Sequence, residues 1–285
     1  MVRVKSLFAC WSFVVVNVCC AFGQDSKPSL GERVHEFTAT EVSRYAIRFA
    51  DGSEDFKRSP RSLLRWSNAV RNRTFGDTYI WTHKGCAKAI VSLFVIVDRR
   101  IVSAECQSLS SRPLEMKRDG EAVWTPKVAG VEWKKLAGVP APTEKPFQRL
   151  VQLNAIARQF KADFAPHTAP EEFTQLRLLP KPLYRYESED PEVIDGAVYG
   201  FVDSTDPEVL LLIEAREQDG KRSWVYSPAR SRHDHLRVYQ KNKIDWEVPQ
   251  LAPPWTNIRD PNKTYFGFQL KNYVESDDLD ALIVD

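Results

Sequence analysis

Two histidines separated by one residue are the sharpest chemical feature of this chain. They are His233 and His235, in the segment RSRHDHLRVY, with Asp234 between them. In a β-strand the two imidazoles would project from one face and Asp234 from the other. Imidazoles at this spacing can share a metal ion such as zinc. No third ligand is apparent nearby in the sequence, and the preceding YSPARSR is typical of a turn, so exposed loop histidines are the alternative interpretation.

A carboxylate and a guanidinium lie in the most apolar segment, EVLLLIEAR. In a strand, Glu214 and Arg216 share a face with Leu210 and Leu212. A buried carboxylate beside an arginine can act as a general acid or base when its pKa is shifted. Structural ion pairing is the commoner explanation for such a pair, and we favour it.

A thiol and an imidazole, Cys86 and His83, flank Gly85. A turn glycine between two strands explains this pattern more simply than a catalytic pair, which needs a base oriented by a third group. Residues 24–285 contain no serine-nucleophile elbow, zincin motif, phosphate loop, dinucleotide fingerprint or CxxC pair. We therefore predict no cofactor, and the sequence favours a non-enzymatic protein.

The first 23 residues have the pattern of an export signal. Arg3 and Lys5 precede an apolar stretch, and Ala21-Phe22-Gly23 places small residues where a signal peptidase reads them. We expect cleavage before Gln24 and a periplasmic or extracellular protein. Lipidation at a cysteine of this segment is disfavoured because no small residue precedes it at the required position.

The charge balance of the remaining chain excludes some partners. The signal contains two of the 40 basic residues and none of the 38 acidic ones, so the rest is formally neutral. A neutral chain does not favour nucleic acid or an anionic membrane, and no further apolar run is long enough to span a bilayer. Sheet edges could pair two copies of the chain into a homodimer.

Tryptophans and cysteines are interpreted as core residues. Seven tryptophans follow the signal and could line a glycan or peptide groove, but their recurrence in both halves of the chain favours a core role. Cys86 and Cys106 remain after cleavage. If the chain turns at residues 98–100 so that Cys106 faces Ser92, the two thiols lie about 20 Å apart along a strand, and we expect no disulfide.

The order of elements predicts an α+β fold with two tandem helix-plus-antiparallel-meander units, packed pseudo-symmetrically. A capping box at residues 38–41 predicts a helix through Phe49, and Leu150, Leu153, Ala157 and Phe160 predict a second one. Strand-like runs start at Gly76 and at Gly196, with landmarks 120 to 122 residues apart. The predicted divisions are a signal peptide (1–23), a first unit (24–138), a Pro-rich linker (139–146), a second unit (147–251), and a C-terminal strand with an acidic tail (252–285).

Several segments resemble an uncharacterised family of secreted planctomycete proteins. They are LRLLPKPLYRY, DGAVYGFVDSTDPEVLLLIEAR and WVYSPAR in the second half, and LRWSNAVR, TYIWTHKG and CQSLS in the first. The resemblance covers most of residues 60–250. It implies an exported bacterial protein and supplies no activity, ligand or catalytic residue.

The leading hypothesis from the sequence is a non-enzymatic binding or scaffolding module at the cell envelope. The alternative is an exported hydrolase or metal-dependent enzyme that uses His233 and His235, or Glu214. Partner and ligand identity are not indicated by any motif.

Overall fold

The protein is mostly β. The structure is a computed structural model that describes residues 28–68, 73–251 and 257–270. Half of the described residues lie in strands and 12% in helices, of which there are two α-helices. The predicted α+β class is therefore wrong, because segments that follow each helix alternate between buried and exposed side chains and extend as strands.

The first helix, α1, is Leu30–Val42, and it begins earlier than the sequence predicts. Its N-cap is Ser29, which forms a reciprocal capping box with Glu32. The predicted helix through Phe49 is wrong, because Tyr45–Phe49 buries every second side chain as a strand. The second helix, α2, is Pro146–Ala157, with proline at its start. It contains three of the four predicted apolar positions, and the fourth, Phe160, begins a strand.

Eighteen strands occur in the described residues. Those of the first half are β1 (Tyr45–Phe49), β2 (Lys57–Arg58), β3 (Leu64–Asn68), β4 (Thr74–His83), β5 (Cys86–Ile96), β6 (Ile101–Ser108), β7 (Leu114–Arg118), β8 (Glu121–Trp124) and β9 (Lys134–Lys135). The others are β10 (Phe160–Ala165), β11 (Thr174–Leu178), β12 (Tyr184–Tyr186), β13 (Val193–Val202), β14 (Pro207–Gln218), β15 (Lys221–Arg230), β16 (His235–Gln240), β17 (Lys243–Val248) and β18 (Tyr265–Gln269).

These strands form three antiparallel sheets. The prediction of two tandem helix-plus-meander units is wrong, because neither half of the chain forms a self-contained meander. One sheet has the order β1-β7-β8, a second β18-β6-β5-β4-β2 with β3 also on β4, and a third β17-β16-β10-β11-β13-β14-β15-β9 with β12 on β13. The strand that follows each helix pairs with a strand that is distant in the sequence. Strand β1 pairs with β7, and β10 pairs with β16. Strand β9 extends the third sheet, to which the second half otherwise contributes all strands. The pairings β4-β5-β6 and β7-β8 have counterparts in β13-β14-β15 and β16-β17.

Three apolar clusters fill the spaces between these layers. One lies beneath α1 and one beneath α2. The third joins the two large sheets, where Ile80 and Ile90 of the second sheet meet Val198, Leu210 and Leu212 of the third. Since burial of such side chains is the main favourable contribution to folding, this third cluster fixes the two halves against each other.

Both cysteines and four of the six described tryptophans occupy core positions, whereas Trp133 and Trp246 are only partly buried. Trp81, Trp124 and Trp224 are fully buried. Cys86 and Cys106 are free and buried, Cys86 in the cluster between the sheets and Cys106 beneath α1. The predicted register is wrong by one residue, because the turn after β5 contains a 3₁₀ segment, and Cys106 lies opposite Val91. The expectation of two free thiols is confirmed.

Near the C terminus, β18 pairs antiparallel with β6. The predicted signal peptide, Trp255 and the acidic tail lie outside the described residues. Within the described part of the chain, neither helix combines the length and apolar character that crossing a membrane requires.

Candidate functional site

The structure separates the two histidines that the sequence places together. The His235 Nε2 lies 2.8 Å from Glu247 Oε1, and its ring packs edge-on against Phe173. His233 lies in the connection between β15 and β16, with its ring centroid 5.5 Å from that of His167. The sequence did not indicate His167, because it reaches this place through the pairing of β10 with β16 rather than through proximity in the chain.

Glu214 and Arg216 form a fully satisfied structural pair. Glu214 accepts hydrogen bonds from the Tyr186 hydroxyl at 2.7 Å and from Arg216 Nε at 2.8 Å. The Arg216 guanidinium also stacks 4.5 Å from the Trp133 ring centroid. These contacts support the structural interpretation of the pair.

His83 and Cys86 contact different partners. His83 forms an ion pair with Glu54, whereas Cys86 Sγ lies 3.1 Å from the Ser188 hydroxyl. Burial raises the pKa of the Cys86 thiol and so disfavours the thiolate that catalysis would need.

A cavity of about 200 Å³ opens at one end of the interface between the two large sheets. Its wall contains residues from β3, β4, β5, β6 and β14 and from the connections before β14 and after β15. A neighbouring cavity of about 460 Å³ shares Phe94, Glu105 and His233 with it. These three residues therefore lie where the two cavities meet.

Four carboxylates line the smaller cavity. They are Glu105, Asp203, Asp206 and Glu208. Glu105 lies on β6, opposite Ser92 of β5 and Gly267 of β18. Glu208 lies on β14, two residues before Leu210, and so projects from the same face of the strand as Leu210. Both carboxyl groups therefore belong to the sheet faces that pack against each other. The turn that carries the aspartates is held against β3 by the Thr205 hydroxyl, which donates to the Ser67 carbonyl at 2.7 Å.

Arg232 is shared between two buried carboxylates. Its Nη1 donates to Glu208 Oε1 at 2.6 Å, and its Nε pairs with Asp234. Asp234 also accepts the backbone N–H of His167 at 2.8 Å. One guanidinium cannot fully compensate two buried negative charges, so one carboxyl is expected to keep a proton.

The pKa values of Glu208 and Glu105 are raised, whereas that of Asp234 is lowered. Burial raises the pKa of Glu208 to about 8, and nearby Asp206 and Glu105 add to the effect of burial. Burial also raises the pKa of Glu105 to about 7. Burial opposes ionisation of Asp234 as well, but Arg232 and the other donors outweigh it, so the pKa of Asp234 is lowered. These directions favour Asp234 as the charged partner of Arg232 and a protonated Glu208 near neutral pH.

Two aromatic rings form the apolar part of the wall. Trp66 and Phe94 have ring centroids 5.7 Å apart, and Trp66 lies over Gly76, where a Cβ atom would collide with its ring. The Trp66 Nε1–H is buried and meets no acceptor among the described residues. The cavity therefore combines aromatic surface with several carboxyl groups.

No protein-family model, curated protein or solved structure matches this chain. The cavity is therefore the feature of the structure that bears on function. Of the residues that line the cavity, His233 is a candidate site residue from the sequence, and Trp66 is one of the seven tryptophans for which a groove is the alternative to a core role. Glu208 could have been noticed, because it shares strand spacing with Leu210 and Leu212, but nothing local distinguishes Glu105.

Proposed function

We propose that the protein is an exported, non-enzymatic binding protein that holds a small organic cation in the acidic cavity. The observation that carries this proposal is the pair of acidic side chains Glu105 and Glu208 in the cavity wall, whose burial raises their pKa values, while Arg232 is the only arginine or lysine among the described residues that line the cavity. That arginine, Arg232, is already paired with Asp234 and Glu208. Export is supported by the residues at the start of the chain, and the binding role by the cavity.

A cation would relieve the electrostatic cost of burying Glu105 and Glu208 in the cavity wall. The raised pKa values of Glu105 and Glu208 mean that the folded protein disfavours their charged forms. An ammonium or guanidinium group in contact with them would favour ionisation, because an opposite charge within about 4–6 Å lowers the pKa of a carboxyl. The aromatic wall adds a further attraction, since cations lie favourably over the faces of tryptophan and phenylalanine.

The dimensions of the cavity favour a small ligand. Pockets for drug-sized molecules usually enclose about 300–1,000 Å³, whereas this one encloses about 200 Å³. A short alkyl amine or a basic side chain would fit, and the adjoining cavity leaves room for a longer tail.

The enzymatic alternative has less support. Glu214 is held by Tyr186 and Arg216 and does not line either cavity discussed above. His233 and His235 have separate partners. The histidine cluster that does form is taken up below as a distinct site.

Calorimetric titration with four probes of matched length tests the proposal. We expect 1,4-diaminobutane and butylamine to bind, and 1,4-butanediol and succinate not to bind. Intrinsic tryptophan fluorescence, compared between the parent protein and Trp66→Phe, gives a second readout, because Trp66 lies in the cavity wall. Equal affinity for the diol and the diamine would overturn the proposal.

Variants locate the binding. Glu105→Gln and Glu208→Gln should each weaken amine binding by about tenfold, which corresponds to about 1.4 kcal/mol. Glu115→Gln is the matched control, because Glu115 lies on β7 and pairs with Arg48. Loss of binding in the control equal to that in the cavity variants would also contradict the proposal.

A further inference from the structure

Two histidines and one aspartate from separate connections converge beside the cavities. His167 follows β10, and His233 and Asp234 precede β16. Because β10 and β16 are antiparallel neighbours, with Ala165 opposite His235, these two connections leave the sheet at the same end. One ligand atom from each of the three residues lies within 4.8 Å of the others.

The separations within this cluster suit metal ligands. Asp234 Oδ1 lies 3.4 Å from His167 Nδ1 and 3.7 Å from His233 Nε2. Both distances exceed the usual hydrogen-bond length of about 2.7–3.2 Å. Ligands bound about 2.0–2.2 Å from a tetrahedral zinc ion are about 3.3–3.6 Å apart, so Oδ1 and the two imidazole nitrogens need only small rotations to surround an ion.

The shared ligand of the cluster is held firmly in place. Asp234 is fully buried, and its Oδ1 is fixed by the His167 backbone N–H at 2.8 Å. Its other oxygen pairs with Arg232. Such outer contacts orient a coordinating carboxylate and are a regular feature of metal sites. The charge of Arg232 would oppose a cation, but Arg232 is itself paired with Glu208 as well as with Asp234.

Access to the cluster comes from the cavities. His233 lines both of them, and the His167 side chain is 39% exposed. An ion bound by three protein atoms here would keep an open position for water or another ligand, as catalytic and exchangeable zinc sites do. Two imidazoles and one carboxylate favour zinc, cobalt or nickel over calcium and magnesium, which prefer oxygen ligands.

We infer that His167, His233 and Asp234 form a binding site for a divalent transition metal ion, with zinc as the best match. This site adjoins the organic-cation site and shares the lining residue His233 with it, but its three ligands include none of the four cavity carboxyl groups. It also replaces the His233–His235 pair that the sequence suggests, since His235 contacts Glu247 instead.

Titration of the purified protein with Co²⁺ and Zn²⁺, after dialysis against a chelator, tests this inference. We expect one ion per chain, and Co²⁺ should give the intense visible absorption of tetrahedral coordination. Zn²⁺ should displace the Co²⁺ and remove the absorption. Absence of binding at millimolar Zn²⁺, or a Co²⁺ spectrum like that of the hydrated ion, would overturn the inference.

Variants identify the ligands. His167→Ala and His233→Ala should each weaken Zn²⁺ binding at least about tenfold, because each removes one of three protein ligands. His235→Ala is the matched control, a nearby histidine on β16 outside the cluster, and should bind as the parent does. Retained binding in both ligand variants, or a loss in His235→Ala alone, would contradict the assignment. Failure of the diaminobutane titration would leave this result unaffected, so the two proposals are separately testable.

Discussion

Arg232 donates a hydrogen bond to Glu208 at 2.6 Å although Glu208 is only 2% exposed and has a pKa raised to about 8. The hydrogen bond and the raised pKa of Glu208 are compatible because the Arg232 guanidinium also pairs with Asp234, whose pKa is lowered. A neutral carboxyl group can still accept the hydrogen bond from Arg232. We therefore expect Glu208 to hold a proton in the folded structure at neutral pH.

Stability should fall as the pH rises through this range. The pKa of Glu208 is higher in the folded chain than in the unfolded chain, so between about pH 5 and pH 8 the folded state binds more protons. Its contribution to stability is complete below the unfolded pKa and is lost as the pH approaches 8. We expect a decrease on the order of 4 kcal/mol in the free energy of unfolding, about 1.36 kcal/mol for each of about three pH units, measured with denaturant.

Glu208→Gln should reduce that pH dependence, because glutamine does not titrate, and leave the part that Glu105 contributes. Glu115→Gln, which alters a partly exposed strand pair, should leave the slope unchanged. An identical slope in Glu208→Gln and in the parent protein would show that Glu208 is ionised throughout.

Removal of the shared guanidinium should be costly. Arg232→Met leaves buried Asp234 without its charge partner, and breaking a buried pair costs about 3–5 kcal/mol. Arg48→Met, in the partly exposed pair with Glu115, should cost at most about 1 kcal/mol. Thermal unfolding of the two variants measures the difference. Equal costs would mean that the surroundings of Arg232 are solvated.

Two glycines should resist substitution because aromatic rings lie over them. A Cβ atom at Gly196 would collide with the Tyr186 ring, and one at Gly76 with the Trp66 ring. Gly196→Ala and Gly76→Ala should each destabilise the protein by about 1–3 kcal/mol through overpacking. Gly31→Ala is the control, since its Cβ would meet Phe75 at an ordinary 3.4 Å. A neutral effect at both ring-covered glycines would contradict the packing.

The two cysteines should be unreactive in the folded protein. Burial raises the pKa of Cys86 and of Cys106, and neither is accessible. In a chain that starts at Gln24, a thiol reagent should label no cysteine rapidly under native conditions and both after denaturation. Only one labelled thiol, or none, in denaturing but non-reducing buffer would indicate an oxidised form.

Local patterns predicted many strands but not the sheets. Alternation and turn residues located β5, β6 and β14 because these signals lie within a few residues of one another. The pairings β1 with β7 and β10 with β16 join residues about 70 apart, for which a single sequence carries no local signal. Helix α1 was misplaced because a second capping-box pattern at residues 38–41 resembled the true one at Ser29.

The candidate site was predictable only in part. His233 was identified from its neighbours in the chain, but its partner His167 comes from another connection. Glu105 alternates with buried apolar residues on β6 and would by pattern face solvent. It is instead partly buried, because Glu208 of β14 and the connection after β15 line the same cavity, which is a consequence of tertiary structure.

Proton release on ligand binding tests the central claim most directly. Titration of 1,4-diaminobutane at pH 7.5, in two buffers with different ionisation enthalpies, gives the number of protons released. An amine beside Glu105 and Glu208 lowers their pKa values, so the account predicts release of up to about one proton, affinity that rises from pH 6 to pH 8.5, and loss of both effects in Glu208→Gln. Binding without proton release, or the same release in Glu208→Gln, would contradict the account.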